Sequence, residues 1–264
     1  MLSTSPSPSA EISAPQRVLL TGGSGYLGRF LTARLRSQFS LRVLDVVADI
    51  PEVEGRPVDF VQGSVADTAL VERAVEGMDA LVIAHMAPNQ KDTYATVDMP
   101  FSINVQGTAA LLLAAARRNI RRVVLISSTS VVDRSRRDGS RLTVSSPTGP
   151  TVLYGLTKSL QEQTARFFHE NYGMEIAVLR PAYVITETPL ADKYGRSPGS
   201  VNWQFIDPED IAEAAALALT APGITFDIFY TVAGPGAEER VDLGPIRERL
   251  GWEPKHRFSQ YPLD

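Results

Sequence analysis

Cysteine is absent from this sequence of 264 residues, and histidine occurs only three times. Without cysteine, the chain cannot form a disulfide framework or a thiolate metal site, and it has no cysteine nucleophile. His85, His169 and His256 are too scattered along the chain to have the spacing of metal ligands. We therefore predict no metal site.

A large charge of either sign and a long apolar run are also missing. The net charge of −4 is too small to favour a nucleic-acid surface. No apolar run approaches the roughly 20 residues that cross a bilayer, so we predict no membrane association. Residues 1–16 are rich in serine and proline and lack the basic and apolar regions of a signal peptide. We predict a disordered leader there and a cytoplasmic location for the protein.

The remaining sequence has 44% hydrophobic residues, enough for a large core, and alternates short apolar runs with helical patterns. The patterns predict strands at 17–21, 41–45, 58–62, 79–85, 121–128 and 174–181, and helices at 26–39, 69–75, 101–118 and 154–172. This alternation is typical of an α/β fold, a Rossmann-like doubly wound parallel sheet. We predict one domain over residues 17–264, with a small C-terminal substrate lobe formed mainly by 184–264. Helices at 208–222 and 243–252 and a strand at 227–234 belong to that part of the chain.

A glycine-rich turn, TGGSGYLG (21–28), joins the first predicted strand to the first helix. Gly22, Gly25 and Gly28 have the spacing of a turn that lets the backbone approach a pyrophosphate, with Tyr26 and Leu27 at the helix start. The free N–H groups of the helix would face the phosphates. A flexible turn is the alternative, but the strand and helix on either side favour dinucleotide binding.

Asp45 ends the second predicted strand, twenty residues beyond Gly25. A carboxylate at that distance accepts hydrogen bonds from the adenosine ribose and repels a 2′-phosphate. Because Val46 and Val47 follow and no arginine is adjacent, we predict NAD as the cofactor, with NADP less favoured.

Tyr154 and Lys158 lie one helical turn apart in YGLTK, after a loop rich in serine, proline and glycine. A phenol is a poor base at neutral pH, but a nearby ammonium group favours the phenolate. Such a pair could move the proton during hydride transfer, and Lys158 could also bind the nicotinamide ribose. A hydroxyl of SST (127–129), at the end of the strand at 121–128, could hold the substrate oxygen. The alternative is a packed tyrosine beside an exposed lysine.

Six motifs in order from Arg17 to Trp252 resemble the extended short-chain dehydrogenase/reductases, also called the NAD-dependent epimerase/dehydratase family. The motifs are TGGSGYLG (21–28), IAHMA (83–87), NVQGT (104–108), ISSTSVV (126–132), YGLTK (154–158) and LRPAYV (179–184). DPEDIAEA (207–214) and LGWEP (250–254) resemble the C-terminal part of the family. The compact C-terminal part and LGWEP are most similar to the small uronate and aldose dehydrogenases.

The resemblance implies roles for particular residues. It implies catalytic roles for Ser128, Tyr154 and Lys158, and for Asn104, which would support the active-site helix and a proton relay. The implied cofactor contacts are Gly22, Gly25, Tyr26, Leu27, Gly28, Asp45, Ser64, Val65, Ala84, His85, Ala87, Tyr154, Lys158 and Pro181. The implied substrate contacts are Met86, Ser128, Thr129, Tyr154 and Tyr183, with Trp203 as another candidate wall. The resemblance also implies a homodimer packed through the helices at 101–118 and 154–172.

The sequence departs from the family at two places. Ser64 and Val65 stand where the family usually has an aspartate, before an aliphatic residue, for the adenine amino group, and we do not expect Asp67 to replace it. Val131, Val132 and Asp133 stand where the family usually has Val-Tyr-Gly. We therefore expect an altered adenine contact and an altered loop after Ser128.

Basic residues outside the motifs suggest an anionic substrate. RSRRDGSR (134–141) reads as a basic loop, either solvated or a mobile flap over the site, and Arg196 could take the same role. We assign Arg180 first to a structural ion pair and His85 to packing near the cofactor.

The function expected from these features is NAD-dependent oxidation of a hydroxyl-bearing carbon in a small sugar or sugar acid, with Tyr154 as the general base. A nucleotide-sugar epimerase that holds NAD tightly and a non-catalytic cofactor sensor are the alternatives. Intact Tyr154 and Lys158 argue against the sensor.

Overall fold

The structure, a computed structural model, describes residues 15–49, 56–89 and 93–264. Residues 1–14 of the predicted leader lie outside the described residues.

The first half of the chain alternates strands with helices, as the sequence predicts. Its elements are β1 (Arg17–Thr21), α1 (Tyr26–Arg36), β2 (Ser40–Asp45), β3 (Val58–Gln62), α2 (Thr68–Ala74), β4 (Ala80–Ile83), α3 (Asp98–Pro100), a π-helical segment (Phe101–Gln106) and α4 (Gly107–Arg117). The last three form one continuous helical stretch.

The second half begins with β5 and carries the remaining helices. Its elements are β5 (Arg122–Ile126), a 3₁₀ turn (Thr129–Val132), α5 (Asp133–Arg137), α6 (Leu153–Tyr172), β6 (Glu175–Pro181), β7 (Tyr183–Thr186), β8 (Ala191–Asp192), β9 (Phe205–Ile206), α7 (Pro208–Thr220), β10 (Phe226–Thr231), α8 (Ala237–Arg240) and α9 (Gly244–Leu250).

Seven strands form the main sheet in the order β3-β2-β1-β4-β5-β6-β10, and every neighbouring pair is parallel. This order confirms the predicted Rossmann-like doubly wound sheet. The strand order reverses between β1 and β4, and a ligand of an open α/β sheet binds outside the carboxyl ends of the strands at such a point. The glycine turn after β1 lies at this edge.

The central strands are apolar along their whole length because both faces of the sheet are covered. Val18 and Leu20 of β1 belong to one buried cluster, whereas Leu19 between them belongs to the other. The same alternation occurs in β5, where Val124 packs on the first side and Val123 on the second. Two hydrophobic cores therefore hold the strand ends in register.

The C-terminal part divides differently from the predicted lobe at 184–264. β10 pairs with β6 in the main sheet, and α7 packs against α1 on one face of it. β8, β7 and β9 form a separate three-stranded sheet. Residues 208–231 therefore complete the main domain, and β7, β8 and β9 all lie before them in the chain.

The basic stretch at 134–141 is partly helical, which corrects its prediction as a loop. Asp133 begins α5, and its buried carboxylate accepts hydrogen bonds from Thr151, Arg136 and Arg137. An acidic group in the first turn and basic groups in the last turn also suit the helix dipole. These bonds hold Arg136 and Arg137 on an ordered turn.

The helical stretch Asp98–Arg117 is long and apolar enough to span a membrane by length and composition, contrary to the sequence prediction. Within the described chain it is the one helix of this kind, and 44% of its most apolar window is buried. Its α4 part packs against α6 and α2. A buried core helix passes the same test, so this stretch is weak evidence for a membrane.

Candidate active site

A cavity of about 1010 Å³ opens at the carboxyl edge of the main sheet. All of the predicted cofactor residues line it: Gly22, Gly25, Tyr26, Leu27, Gly28, Asp45, Ser64, Val65, Ala84, His85, Ala87, Tyr154, Lys158 and Pro181. Ser128 and the predicted substrate residues Met86, Thr129 and Tyr183 line it too. Trp203 instead packs against a hydrophobic core. One cavity thus joins the glycine turn to the Tyr/Lys helix.

The glycine turn is packed too closely for side chains at two of its positions. Gly22 has a φ of +79°, and a Cβ there would lie 2.7 Å from the Cα of His85. A Cβ at Gly28 would overlap the carbonyl oxygen of Gly22. Glycine is therefore required both by the backbone conformation and by the close approach of α1 to the strand ends.

The N-terminus of α1 faces this cavity. The helix begins after Gly25 with no side-chain cap and no acidic residue in its first turn. Its first N–H groups have no partner within the helix, and the positive end of the helix dipole lies at the same place. This arrangement suits the pyrophosphate of a dinucleotide.

Asp45 ends β2 with its carboxylate fixed at the edge of the cavity. One oxygen accepts a hydrogen bond from the N–H of Ser24 (3.0 Å), and the other accepts one from the N–H of Val47 (3.1 Å). Each oxygen keeps further acceptor capacity, because a carboxylate oxygen has two lone pairs. The ribose hydroxyls of NAD fit this position, whereas a 2′-phosphate would be repelled.

We expect Asp45→Ser to narrow the preference for NAD over NADP, because the repulsive charge is lost while a hydroxyl remains. Calorimetric titration of both cofactors against the wild type and the variant measures this preference. Asp49→Ser is the matched control, since Asp49 pairs with Arg29 on the surface. Tighter binding of NADP than NAD by the wild type would refute the role of Asp45.

Ser64 and Val65, which stand in place of the usual aspartate, mark the predicted adenine end of the cavity. Ser64 and Val65 line the cavity, and the Ser64 hydroxyl accepts a hydrogen bond from the N–H of Ala66 (3.1 Å). Asp67 caps α2 through the N–H of Leu70 (3.0 Å) and does not line the cavity. Asp67 is thus engaged at the start of α2, and its exclusion as a replacement for the missing carboxylate stays a prediction.

Ser128, Tyr154 and Lys158 reach the cavity from two elements. Ser128 follows β5, and its Oγ caps the 3₁₀ turn through the N–H of Ser130 (3.1 Å). Tyr154 lies in the first turn of α6, and Lys158 follows one turn later. The Lys158 side chain is buried, and its Nζ donates to the carbonyl oxygen of Ile126 (2.8 Å). An exposed, solvated lysine is excluded.

Burial determines the charge state of Lys158. Removal from water lowers the pKa of its ammonium group to about 8, and the opposite charge of Glu162 acts to raise it. Lys158 is therefore still predominantly cationic at neutral pH. A buried cation facing a cleft is typical of a functional site.

His85 is a neutral packing residue, as the sequence predicts. Burial and the charge of Lys158 lower the pKa of its imidazole to about 3. Its Nε2 lies 3.1 Å from the carbonyl oxygen of Ile103, and its Nδ1 lies 2.8 Å from the hydroxyl of Thr21. A carbonyl can only accept, so Nε2 carries the proton and Nδ1 accepts from Thr21. Both ring nitrogens are used, which leaves no general base there.

Asn104 lies behind the cavity wall and does not line it. Its Oδ1 accepts from the N–H of Ala87 (2.7 Å), and its Nδ2 donates to the hydroxyls of Tyr94 and Thr157 (3.0 Å each). The Tyr94 ring packs 6.3 Å from that of Tyr154. Asn104 therefore supports α6, as the resemblance implies, but as a positioning residue without direct contact with the cavity. The π-helical turn places it there.

The substrate end contains polar residues that the sequence did not identify. The Tyr183 hydroxyl donates to Asp192 (2.8 Å), which also pairs with Arg196 (2.6 Å). Arg136 donates to the side-chain oxygen of Gln204 (2.9 Å). The lining residues missed at this end include Asn89, Met99, Asp192, Lys193, Tyr194 and Gln204. They come from loops, the short strand β8 and the three-residue helix α3, without a recognisable motif, so no sequence signal points to them.

Residues 18–196 match the NAD dependent epimerase/dehydratase family, and the chain belongs to this family. This finding confirms the family resemblance, and the description of the family as NAD dependent supports the predicted cofactor.

Three known proteins illustrate the similarity. A uronate dehydrogenase of Pseudomonas syringae pv. tomato is 31% identical over 168 residues, which cover 62% of this chain and 58% of that protein. An L-arabinose 1-dehydrogenase (NAD(P)(+)) of Haloferax volcanii is 22% identical over 90% of this chain and 96% of its own length. A short-chain dehydrogenase/reductase superfamily protein of Agrobacterium tumefaciens with bound NAD has a TM-score of 0.77 at 23% identity, covering 93% of this chain and 94% of its own. The last likeness shows the fold.

Proposed function

We propose that the protein is an NAD-dependent dehydrogenase that oxidises a hydroxyl-bearing carbon of a small sugar or sugar acid. The observation that supports this most is the single cavity shared by the glycine turn, Asp45, Ser128, Tyr154 and Lys158. A dinucleotide bound at the turn would extend along the cavity toward the Tyr/Lys helix. The uronate and arabinose dehydrogenases among the relatives support the substrate class.

Bound NAD would supply the acceptor for the hydride that leaves the substrate carbon. The protein's own residues handle the oxygen and the proton. Ser128 and Tyr154 bind the substrate hydroxyl, and Tyr154 as phenolate takes its proton. The Lys158 ammonium stabilises the phenolate and binds the nicotinamide ribose, because it lies one helical turn from Tyr154 and is cationic at neutral pH.

The charges at the substrate end favour an acid over a neutral sugar. Four cationic side chains, those of Arg136, Arg137, Lys193 and Arg196, line this part of the cavity, against two anionic ones, those of Asp133 and Asp192. Asp192 is neutralised by Arg196, and Asp133 is shared by Arg136 and Arg137. One arginine of α5 therefore remains in excess, and we assign Arg136 to the substrate carboxylate because its side chain is turned toward Gln204 in the cavity wall.

A substrate panel tests the proposal. Uronates, neutral aldoses and simple alcohols are each incubated with NAD⁺, and the absorbance of NADH is followed. We expect the uronates to give the highest kcat/KM. Preference for simple alcohols over every sugar would contradict the proposed substrate class.

We expect Arg136→Met to raise the KM for a uronate about tenfold or more, the scale of one lost charge-assisted hydrogen bond. The KM for a neutral aldose should change little, because no carboxylate is involved. Arg134→Met is the control, since Arg134 lies on the same helix but does not line the cavity. If Arg136→Met changed the KM for the uronate and for the neutral aldose equally, Arg136 would instead have a structural role in the cavity wall.

Epimerisation of a nucleotide sugar is the second candidate, favoured by the family match and by the size of the cavity. An epimerase restores its cofactor in each turnover and retains NAD through purification. Measurement of NAD released on denaturing the purified protein separates the two candidates. A full equivalent of released NAD would favour the epimerase.

Assembly into a homodimer through α4 and α6 stays a prediction, and so does the cytoplasmic location. Leu156 and Phe167 on α6 are exposed, at 39% and 52% of their surface, which favours the dimer.

A further inference from the structure

The geometry points to Glu162, one helical turn beyond Lys158, as a positioning residue that keeps Lys158 cationic and fastens α6 to the strands that end in the site. The proposed function depends on a cationic Lys158, and to that extent the role of Glu162 rests on it. Glu162 itself does not line the cavity.

The Glu162 carboxylate is buried, and both of its oxygens accept hydrogen bonds. One oxygen accepts from Nε of Arg180 (2.9 Å) and from the hydroxyl of Ser127, and the other accepts from the Arg180 guanidinium (2.6 Å). The predicted structural ion pair of Arg180 is thereby confirmed. A bidentate pair of this kind fixes both geometry and charge.

The network connects the elements that carry the catalytic residues. Ser127 precedes Ser128 at the end of β5, and Arg180 precedes Pro181 at the end of β6. The Arg180 guanidinium also donates to the hydroxyl of Tyr230 on β10 (3.0 Å). Glu162 on α6 therefore ties the Tyr/Lys helix to three neighbouring strands of the sheet, close to their carboxyl ends.

The surroundings of Lys158 explain why a buried anion is needed. Its hydrogen-bond acceptor, the carbonyl of Ile126, is neutral. His85, which approaches from the end of β4, is uncharged at neutral pH, and Arg180 from β6 is a cation. Glu162 is the charged group that acts to raise the pKa of Lys158 against burial. Without it, burial would lower the pKa of Lys158 further.

The test is a direct titration of Lys158. The chain contains four lysines (Lys91, Lys158, Lys193 and Lys255), so the side-chain NMR signals of lysine-labelled protein are few. The Lys158 signal is assigned by its loss in Lys158→Met. We expect the titration midpoint in Glu162→Gln to fall by about one pH unit or more, the scale of a nearby opposite charge. Glu162→Asp keeps the negative charge, so its Lys158 midpoint should lie close to that of the wild type.

Glu175→Gln is the matched control. Glu175 pairs with Arg122 (2.8 Å) across the same two strands, β5 and β6, but at their amino ends, away from the cavity. We expect the Lys158 midpoint to remain at its wild-type value in this variant. An equal fall in Glu175→Gln would show that any lost ion pair has the same effect, which would overturn the proposal.

Loss of Glu162 leaves Arg180 buried without its partner and could prevent folding. The double variant Glu162→Gln/Arg180→Met removes both charges and keeps the proposal testable, with circular dichroism to establish folding. We expect the Lys158 midpoint to stay below that of the wild type in this variant. A wild-type midpoint in a folded variant without Glu162 would overturn the proposal.

Cofactor binding gives a second readout that requires no substrate. Because Lys158 is proposed to bind the nicotinamide ribose as a cation, NAD⁺ affinity should fall as pH rises. In Glu162→Gln, NAD⁺ affinity should begin to fall at a lower pH than in the wild type. The difference should equal the shift of the Lys158 midpoint measured by NMR. If the dehydrogenase proposal fails, the NMR titration still decides the role of Glu162. If only the NMR shift is missing, the dehydrogenase proposal stands without Glu162.

Discussion

Tyr154→Phe should lower kcat for NAD-linked oxidation by about two orders of magnitude or more, the usual scale of general acid–base catalysis. The change removes only the hydroxyl that would take the substrate proton. The ring keeps its packing beside Tyr94, and the turn that begins α6 is unchanged. Stability and NAD affinity should therefore remain close to those of the wild type. Initial rates, calorimetric NAD titration and thermal unfolding measure the three effects.

Tyr172→Phe is the control for this substitution. Tyr172 ends the same helix, is half exposed and packs against Phe168, away from the cavity. It should retain full activity. Turnover near the wild-type value in Tyr154→Phe would return Tyr154 to a packing role.

Lys158→Met should shift the pH–rate profile for oxidation to higher pH. Without the ammonium group, Tyr154 would form phenolate only closer to the ordinary phenol pKa of about 10. Because the pKa of Lys158 is about 8, its charge is present at neutral pH and is lost above pH 8. The difference between variant and wild type should therefore be largest at and below neutral pH, and it should shrink as pH rises.

The same substitution removes the proposed hydrogen bond to the nicotinamide ribose. NAD affinity at neutral pH should fall by on the order of 1–3 kcal/mol if that contact is charge-assisted. Lys255→Met is the control, because Lys255 is exposed and does not line the cavity. An unchanged profile together with unchanged affinity in Lys158→Met would show that Tyr154 and Lys158 do not act as a pair.

Local chemistry explains why much of the site could be predicted from the sequence. The glycine turn and the Tyr/Lys pair each lie within one short segment, and residue type alone states what each can do. Asp45 was found from its distance along the chain, since β1, α1 and β2 form one compact unit. Such features need no knowledge of distant contacts.

The substrate end could not be predicted in the same way. Gln204 and Asp192 reach the cavity because the small sheet of β7, β8 and β9 folds over the strand ends. The sequence shows the basic residues of α5. Their fixed position depends on the Asp133 carboxylate, which is itself bound by Thr151 from further along the chain. No sequence pattern pointed to Glu162, because its proposed role depends on an ion pair with Arg180, which lies on β6.

The fold shows the same division between local and distant information. The apolar runs predicted the strands of the main sheet, and most of the predicted strand boundaries lie within two residues of the observed ones. The run around 227–234 was recognised as a strand, but an apolar strand has the same pattern in a lobe and in the main sheet. Its pairing with β6 placed β10 in the sheet.

The proposed reaction is the transfer of a hydride from a sugar acid to NAD in this cavity. The most direct measurement uses a uronate with deuterium on every carbon that carries a hydroxyl, and determines the mass of the reduced cofactor. We expect the wild type to form NADH that carries the deuterium, and Tyr154→Phe to form it at least about a hundredfold more slowly. Reduced cofactor without deuterium, or an epimerised uronate with no free NADH, would contradict it.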